Sequence, residues 1–502
     1  MKKNTIDILQ SYVDTSNPII YINHFDFTVI DKIIRDMSNG ISCVEFNNAL
    51  GMVNFKTRSP MVECDLEKFL ELTLDDGFEK ETFIILKDIH EEIKSPKIIA
   101  FLKRIAENQL NLDNYNATIF ILSDKIVIPK ELEHFITIVD IPIPTPSETL
   151  EIIKKFVDEL PIDVEEGVIN DLALSFKGLT EFQINRILRL AYNDGGSIDQ
   201  EDKALILKEK EQFLKKSNML EMINFNETVD DIGGLENLKK WLARKSKVFS
   251  NLDKAIKFGV DIPKGIMIVG MPGCGKSLTA KATASLFEIP LVRLDVGRLL
   301  GKYVGESEEN MRKALKLAEA ISPCVLWIDE IEKAFAGVGS ESGGSDVTTR
   351  LFGQFLTWMQ EKENTVFIIA TANDLSRMPP EFLRKGRFDE LFFVNLPNAD
   401  ERTKILEIHL RKRKKWNKNI DTLRLVKETK GFNGADLEAV IKETIEKAFV
   451  DGKDSITTDN LLETIQETKS ITDTMKDRLK SIENTIKKMN IKNASKSESK
   501  GD

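Results

Sequence analysis

The sequence predicts an α/β fold built on parallel sheets covered on both faces. Three observations carry this. Short apolar runs of strand length recur at Pro18–Ile22, Thr82–Leu86, Thr118–Leu122, Gly265–Val269, Cys324–Ile328 and Val366–Ala370. Helix-period stretches lie between them. A strand buried on both faces reads as a nearly continuous apolar run, which is the mark of a parallel sheet. The run ending at Val269 also passes through a glycine-rich turn into a further helical stretch, Leu278 to Phe287.

The chain has 502 residues, enough for roughly three domains at about 150 residues each. Hydrophobic residues make up 41% and charged residues 30%, which excludes collagen-like, disulfide-stapled and wholly disordered classes. With 81 acidic against 71 basic residues the net charge is −10, which argues against a protein built to coat nucleic acid or anionic membrane. Cys43, Cys64, Cys274 and Cys324 have no C-x-x-C spacing, so neither a zinc site nor a disulfide framework is expected, and a reducing compartment is. The absence of an apolar run of about 18 residues predicts no membrane span and a soluble protein. The start, MKKNTIDILQSYVD, is amphipathic, with Asp7 and no apolar core, and so resembles neither a signal peptide nor a transit peptide.

A charged helical stretch, Gln200 to Lys216, separates two halves, and Gly233-Gly234 punctuates the restart. The expected division is 1–215, then an α/β subdomain over 216–397, a helical lid with C-terminal helices over 398–490, and a polar, disordered tail over 491–502. A distant repeat links the halves. Thr118-Ile-Phe-Ile-Leu-Ser-Asp124 before Pro129 echoes Phe367-Ile-Ile-Ala-Thr-Ala-Asn-Asp374 before Pro379, and Lys177-Gly178 echoes Lys430-Gly431. Duplication and shared generic turn chemistry both account for the echo.

Gly270-Met-Pro-Gly-Cys-Gly-Lys-Ser277 fits G-x-x-x-x-G-K-[ST], with the strand before it and the helix after it that this pattern needs. Its glycines let backbone N–H groups of Gly270, Met271, Pro272–Gly273, Cys274 and Gly275 curl round a phosphate chain, proline contributing none. Lys276 can reach the β- and γ-phosphates of a bound nucleotide, and the Ser277 hydroxyl can ligate Mg²⁺. Val325-Leu-Trp-Ile-Asp-Glu330 ends a strand in two carboxylates. Asp329 suits Mg²⁺ contact and Glu330 suits activation of the attacking water. Asn373, ending the next strand, either holds that water or caps a turn.

Together these motifs resemble the AAA module of the AAA+ ATPases over about Val229 to Leu462. The resemblance includes Asp231-Ile-Gly-Gly-Leu235, Walker A, Walker B, the Asn sensor, Phe382-Leu-Arg-Lys-Gly-Arg-Phe-Asp389 and the lid signature Gly431-Phe-Asn-Gly-Ala-Asp-Leu437. A narrower likeness is to the AAA-domain open-reading-frame proteins of algal plastids and cyanobacteria. It rests on Leu294-Asp-Val-Gly-Arg298 and Arg384-Lys-Gly-Arg-Phe-Asp-Glu-Leu-Phe-Phe393. The resemblance implies a P-loop AAA+ module with a C-terminal helical lid. It implies an adenine pocket at Ile232 and Gly233, a lid contact at Gly434 and Ala435, and an arginine finger at Arg387 serving a neighbouring subunit. A surface salt bridge is the alternative reading of Arg387. Glu390 stands where many members carry a second arginine. Lys302-Tyr303-Val304 matches a first pore loop, and Gly337 to Asp346 a second loop. A hexameric homo-oligomer, a plastid stroma or else a bacterial cytoplasm, and a protein client are implied in the same way.

The first half reads as a degenerate AAA-like domain. Its Walker-A equivalent, Ile22-Asn-His-Phe-Asp-Phe-Thr28, has no glycine and no Lys-Ser pair, and Lys87 stands where the metal-contacting Asp belongs. No ATP binding is expected there. His24, His90, His134 and His409 read as surface or cap residues rather than ligands. The basic run Arg411–Lys415 beside Trp416 reads as a solvated helix end more than a nucleic-acid contact. The functional expectation is a Mg²⁺-dependent ATPase that remodels a protein partner. The alternative is a scaffold or switch that assembles on ATP with little turnover. A nucleic-acid motor is disfavoured by the acidity, and no H-E-x-x-H supports a protease.

Overall fold

A computed structural model describes residues 2–496 apart from 25, 76–79, 113–114, 161, 163, 218, 300–305, 335–345, 363, 376–377, 379, 385, 418 and 471–490. Lys302, Tyr303 and Val304 therefore lie outside the described residues, as does almost all of the second loop. The chain forms two compact units, 1–206 and 207–502.

The first unit holds strands β1 (Ile19–Asn23), β2 (Ser42–Asn47), β3 (Gly51–Asn54), β4 (Pro60–Val62), β5 (Thr82–Lys87), β6 (Ala117–Ser123) and β7 (Ile136–Asp140). They lie in the order β4-β3-β2-β5-β6-β1-β7. The five strands β2, β5, β6, β1 and β7 are parallel. The β3 and β4 strands extend the edge antiparallel. The second unit holds β8 (Leu220–Ile223), β9 (Gly265–Gly270), β10 (Leu291–Leu294), β11 (Cys324–Ile328), β12 (Val366–Ala372), β13 (Glu390–Val394) and β14 (Lys492–Asn493). Their order is β14-β13-β9-β12-β11-β10-β8. Here β10, β11, β12, β9 and β13 are the parallel core.

The two parallel cores share one permutation. In each, the first strand lies between the last two, β1 between β6 and β7, and β9 between β12 and β13. The strand order reverses beside that first strand, and a parallel sheet opens its ligand crevice there, beyond the strand C-termini. Apolar residues cover both faces of each sheet. In the second unit Met267 and Val269 face one core, while Ile266 and Ile268 face the other.

Four helices form the lid: Ala399–Lys412, Thr422–Glu428, Gly434–Val450 and Thr458–Glu467. They pack around Leu406, Leu410, Leu425, Leu437, Ile441 and Leu461. Three of them start on reciprocal capping boxes, Asn398 with Glu401, Asn433 with Asp436, and Thr457 with Asn460. The first unit repeats this device at Thr145 with Glu148 and Thr180 with Gln183.

The tail expected to be disordered from 491 begins instead with a strand. Lys492 and Asn493 pair with Phe392 and Phe393 of β13. Ala494 is fully buried, its N–H donates to the Phe393 carbonyl, and Asn237 donates to the Asn493 and Ser495 carbonyls. Lys492 also forms an ion pair with Glu390. An open β13 edge with an acidic first residue recruits a strand that begins with lysine. Among the described residues no helix is long and apolar enough to cross a membrane.

Candidate nucleotide site

The β9 strand ends at Gly270 and the helix Lys276–Phe287 begins six residues later, with Gly275 as its cap at φ 86°. Gly273, at φ 75°, also lies in the left-handed region, which favours glycine. This turn lays backbone N–H groups and a helix N-terminus along one wall of a cavity of about 540 Å³. Pro272, Gly273, Cys274, Gly275, Lys276 and Ser277 line it directly. Gly270 and Met271 support it, their carbonyls accepting from Lys276 Nζ at 2.8 and 2.7 Å.

Lys276 is 8% exposed and its third hydrogen bond, at 2.8 Å, goes to Asn373 Oδ1. Burial pushes its ammonium down to about 8, against the opposing pull of Cys274 and the nearby carboxylates. Burial likewise pushes the Cys274 thiol up to about 12, which leaves it a poor nucleophile.

The β11 strand delivers Asp329 and Glu330 to the opposite wall of the cavity. Glu330 sits at φ 49°, a left-handed conformation uncommon for a residue with a Cβ. Its Oε1 accepts from Asn373 Nδ2 at 3.0 Å, and its Oε2 pairs with Lys333 at 2.6 Å. Thr371, within β12, fixes this corner: its hydroxyl donates to Asp329 Oδ1 and accepts from the Glu330 N–H at 3.2 Å. Glu332 accepts from the Asn373 N–H at 3.1 Å, and burial holds its carboxyl above the usual range. Sequence reasoning missed Thr371 and Glu332. Each lies two residues from a residue that was recognised, and the parallel register of β11 with β12 brings them across.

The lid meets the turn directly. Ala435 N–H donates to the Gly273 carbonyl at 3.1 Å, and Asn433 Nδ2 to the Pro272 carbonyl at 3.0 Å. Gly434 and Ala435 thus line the cavity. Ile232 and Gly233 line it from the other side. A Cβ on Gly233 would stand 2.4 Å from Ile405 Cγ1, and one on Gly234, at φ 106°, would stand 2.5 Å from Glu401. The Glu401 side chain accepts from the Leu235 N–H at 3.0 Å, which ties the Ile232–Leu235 segment to the first lid helix. His409 and Glu438 of the lid line the same cavity. Burial keeps His409 below its ordinary value.

Arg387 lies outside this cavity and donates to the Glu381 carbonyl of its own segment. Its neighbours are fixed: Phe388 is buried, and the Asp389 carboxylate accepts from the Lys264 N–H at 3.0 Å. Glu390, the departure from the family pattern, is taken up by Lys492 of β14.

The first unit lacks this construction. Between β1 and the helix Phe27–Met37 the turn is shorter, and Asp26 caps the helix by accepting from the Thr28 N–H at 3.1 Å. A buried carboxylate thus holds the N-terminus that the second unit leaves open. Lys87 pairs with Asp31 at 2.9 Å and Glu45 at 3.0 Å.

Comparison with known proteins follows the same division. The model of the ATPase family associated with various cellular activities matches residues 266–396, and an AAA+ lid domain matches 419–463. The N-terminal domain and the second domain of SpoVK-like AAA ATPases match 5–141 and 147–217. The chain is similar to proteins named uncharacterized AAA domain-containing protein ycf46. That of Guillardia theta is 36% identical over 456 residues, covering 88% of this chain and 87% of the relative. That of Pyropia yezoensis is 36% identical over 448 residues, 88% and 89%. That of Gracilaria tenuistipitata var. liui is 35% identical over 470 residues, 91% and 92%. A P-loop facing a carboxylate pair beneath a helical lid, together with relatives matched along most of both chains, leads to one conclusion: the chain belongs to the AAA ATPase family, with a SpoVK-like first half.

Proposed function

We propose that the second unit hydrolyses ATP with Mg²⁺ and spends the energy on remodelling a protein partner within a ring of copies. The observation that carries this is the arrangement of Glu330. It faces the P-loop across one cavity and is held there by Asn373, Thr371 and a left-handed backbone. In that reading Lys276 binds the phosphates, Glu330 orients and deprotonates the attacking water, and Asn373 holds that water. The Ser277 hydroxyl and Asp329 carboxylate are hard oxygen donors on one cavity, which fits Mg²⁺. The ion, when bound, would neutralise phosphate charge. Ile232 and Gly233 hold the base, while Gly434 and Ala435 close over the nucleotide.

Arg387, outside its own cavity, serves a neighbour's. Such head-to-tail contacts close into a ring when the rotation allows, and the family suggests six subunits. The compartment is a plastid stroma for a plastid-encoded chain and a bacterial cytoplasm otherwise. A second reading, an ATP-dependent scaffold with little turnover, is favoured by one observation. Both Glu330 oxygens are engaged, one by Asn373 and one by Lys333.

Steady-state phosphate release with and without Mg²⁺, over a range of protein concentrations, separates these readings. Ring-dependent hydrolysis gives a Mg²⁺-dependent specific activity that rises with concentration. The scaffold gives assembly with ATP but little phosphate. An active monomer at every dilution would overturn the role of Arg387.

A further inference from the structure

The first unit carries a second set of chemistry-bearing residues at the ends of its own central strands. Asp88 follows β5 and sits at φ 53°, the counterpart of Glu330 at φ 49° beyond β11. Asp124 is the first residue past β6, as Asn373 is past β12. His90 lies two residues beyond Asp88. One oxygen from each carboxylate and one imidazole nitrogen lie within 4.8 Å of one another.

Two features separate this cluster from an ordinary acidic surface. His90 Nδ1 is buried and makes no hydrogen bond, which is costly for an imidazole nitrogen without a ligand. Lys87, the residue before Asp88, makes its ion pairs with Asp31 and Glu45 rather than with this cluster. Among the described residues neither Asp88 nor Asp124 forms an ion pair, and both are exposed enough for a hydrated ion to reach. Two like charges are therefore held together on fixed strand ends, one of them on a strained backbone, with an imidazole beside them.

We propose that Asp88, His90 and Asp124 bind one divalent first-row transition-metal cation, with water completing its shell. The donor set decides the class. Mg²⁺ and Ca²⁺ take oxygen ligands, whereas an imidazole with two carboxylates suits Zn²⁺, Mn²⁺ or Co²⁺. A tetrahedral ion about 2.1 Å from each ligand needs them about 3.4 Å apart, a closure that side-chain rotation supplies. The ion pins β5 to β6 at the place where the second unit does its phosphate chemistry. The first half thus keeps the strand-end site of its counterpart for a structural cation. Against the sequence expectation, His90 is a ligand.

Equilibrium dialysis of the full-length protein against Zn²⁺ or Co²⁺, without nucleotide, tests this. The variants are His90→Ala and the isosteric, exposed Asp124→Asn. Asp329→Asn controls for the second unit. The wild type should bind one ion that Asp329→Asn retains. Both first-unit variants should lose it or weaken it by about tenfold or more. The thermal shift that Zn²⁺ gives the wild type should vanish with it. Unchanged binding in Asp124→Asn, or loss of the ion in Asp329→Asn instead, would overturn the assignment.

Discussion

Lys276 shows how a single buried charge is poised for its ligand. Its ammonium is depressed to about 8, below the ordinary 10.5 of an unfolded chain. Between those values the folded protein binds fewer protons there than the unfolded chain does. The stability penalty is therefore full below about pH 8 and relieved as the pH rises toward 10.5. A bound phosphate chain favours the charged form again, so ATP binding at about pH 9 should be accompanied by proton uptake. Calorimetry in buffers of different ionisation enthalpy measures it, and an equal binding heat in all buffers would count against this account. Thr371→Val removes the hydroxyl that orients Asp329 and the Glu330 N–H. It should lower turnover about 10- to 100-fold with little change in ATP affinity. The residues of the glycine-rich turn and of the carboxylate pair that line the cavity were legible because their types and spacing are those that phosphate chemistry dictates. Thr371 and Glu332 were not, because a supporting hydroxyl or carboxylate has no spacing of its own and is defined only by strand register.

Strands that are apolar on both faces were legible from composition. Cys324–Ile328 was found to the residue, and Pro18–Ile22 within one. Those at the edges were not. The β4 strand is three residues long and exposed throughout, and β14 is a lysine and an asparagine, so neither reads as a buried apolar run. Pairing partners, not propensity, make these strands. Deleting residues from 491 onward should therefore cost the second unit about 2 kcal/mol through the lost Asn237 hydrogen bonds and the buried Ala494. Thermal melting reads this as a fall of several degrees, and an unchanged midpoint would show that β14 contributes nothing. Within β9 the expectation is harsher. A Cβ at Gly265, φ 144°, would stand 2.1 Å from the Ile368 carbonyl oxygen, so Gly265→Ala should cost about 3 kcal/mol or more, measured by denaturant unfolding.

At the scale of the whole molecule, the repeat suspected from Pro129 and Pro379 reappears as one strand permutation in both sheets. Sequence showed the echo only where turn chemistry was kept. The shared topology was hidden because the two cores keep apolar character rather than identity. Divergence is concentrated at the functional ends, where Asp26 caps the helix that the second unit leaves to phosphate, and Lys87 serves Asp31 and Glu45. The full-length Lys276→Ala protein should accordingly bind no ATP at all, and calorimetry showing one residual site would place a nucleotide in the first half. The central claim is that Glu330 activates water against ATP held on the Walker-A turn. Glu330→Gln keeps the shape of the cavity and removes the base. A paired measurement of ATP binding and phosphate release on that variant is the most direct test. The account predicts binding within about twofold of wild type and turnover reduced by about 10²-fold or more. Phosphate release equal to wild type would contradict it.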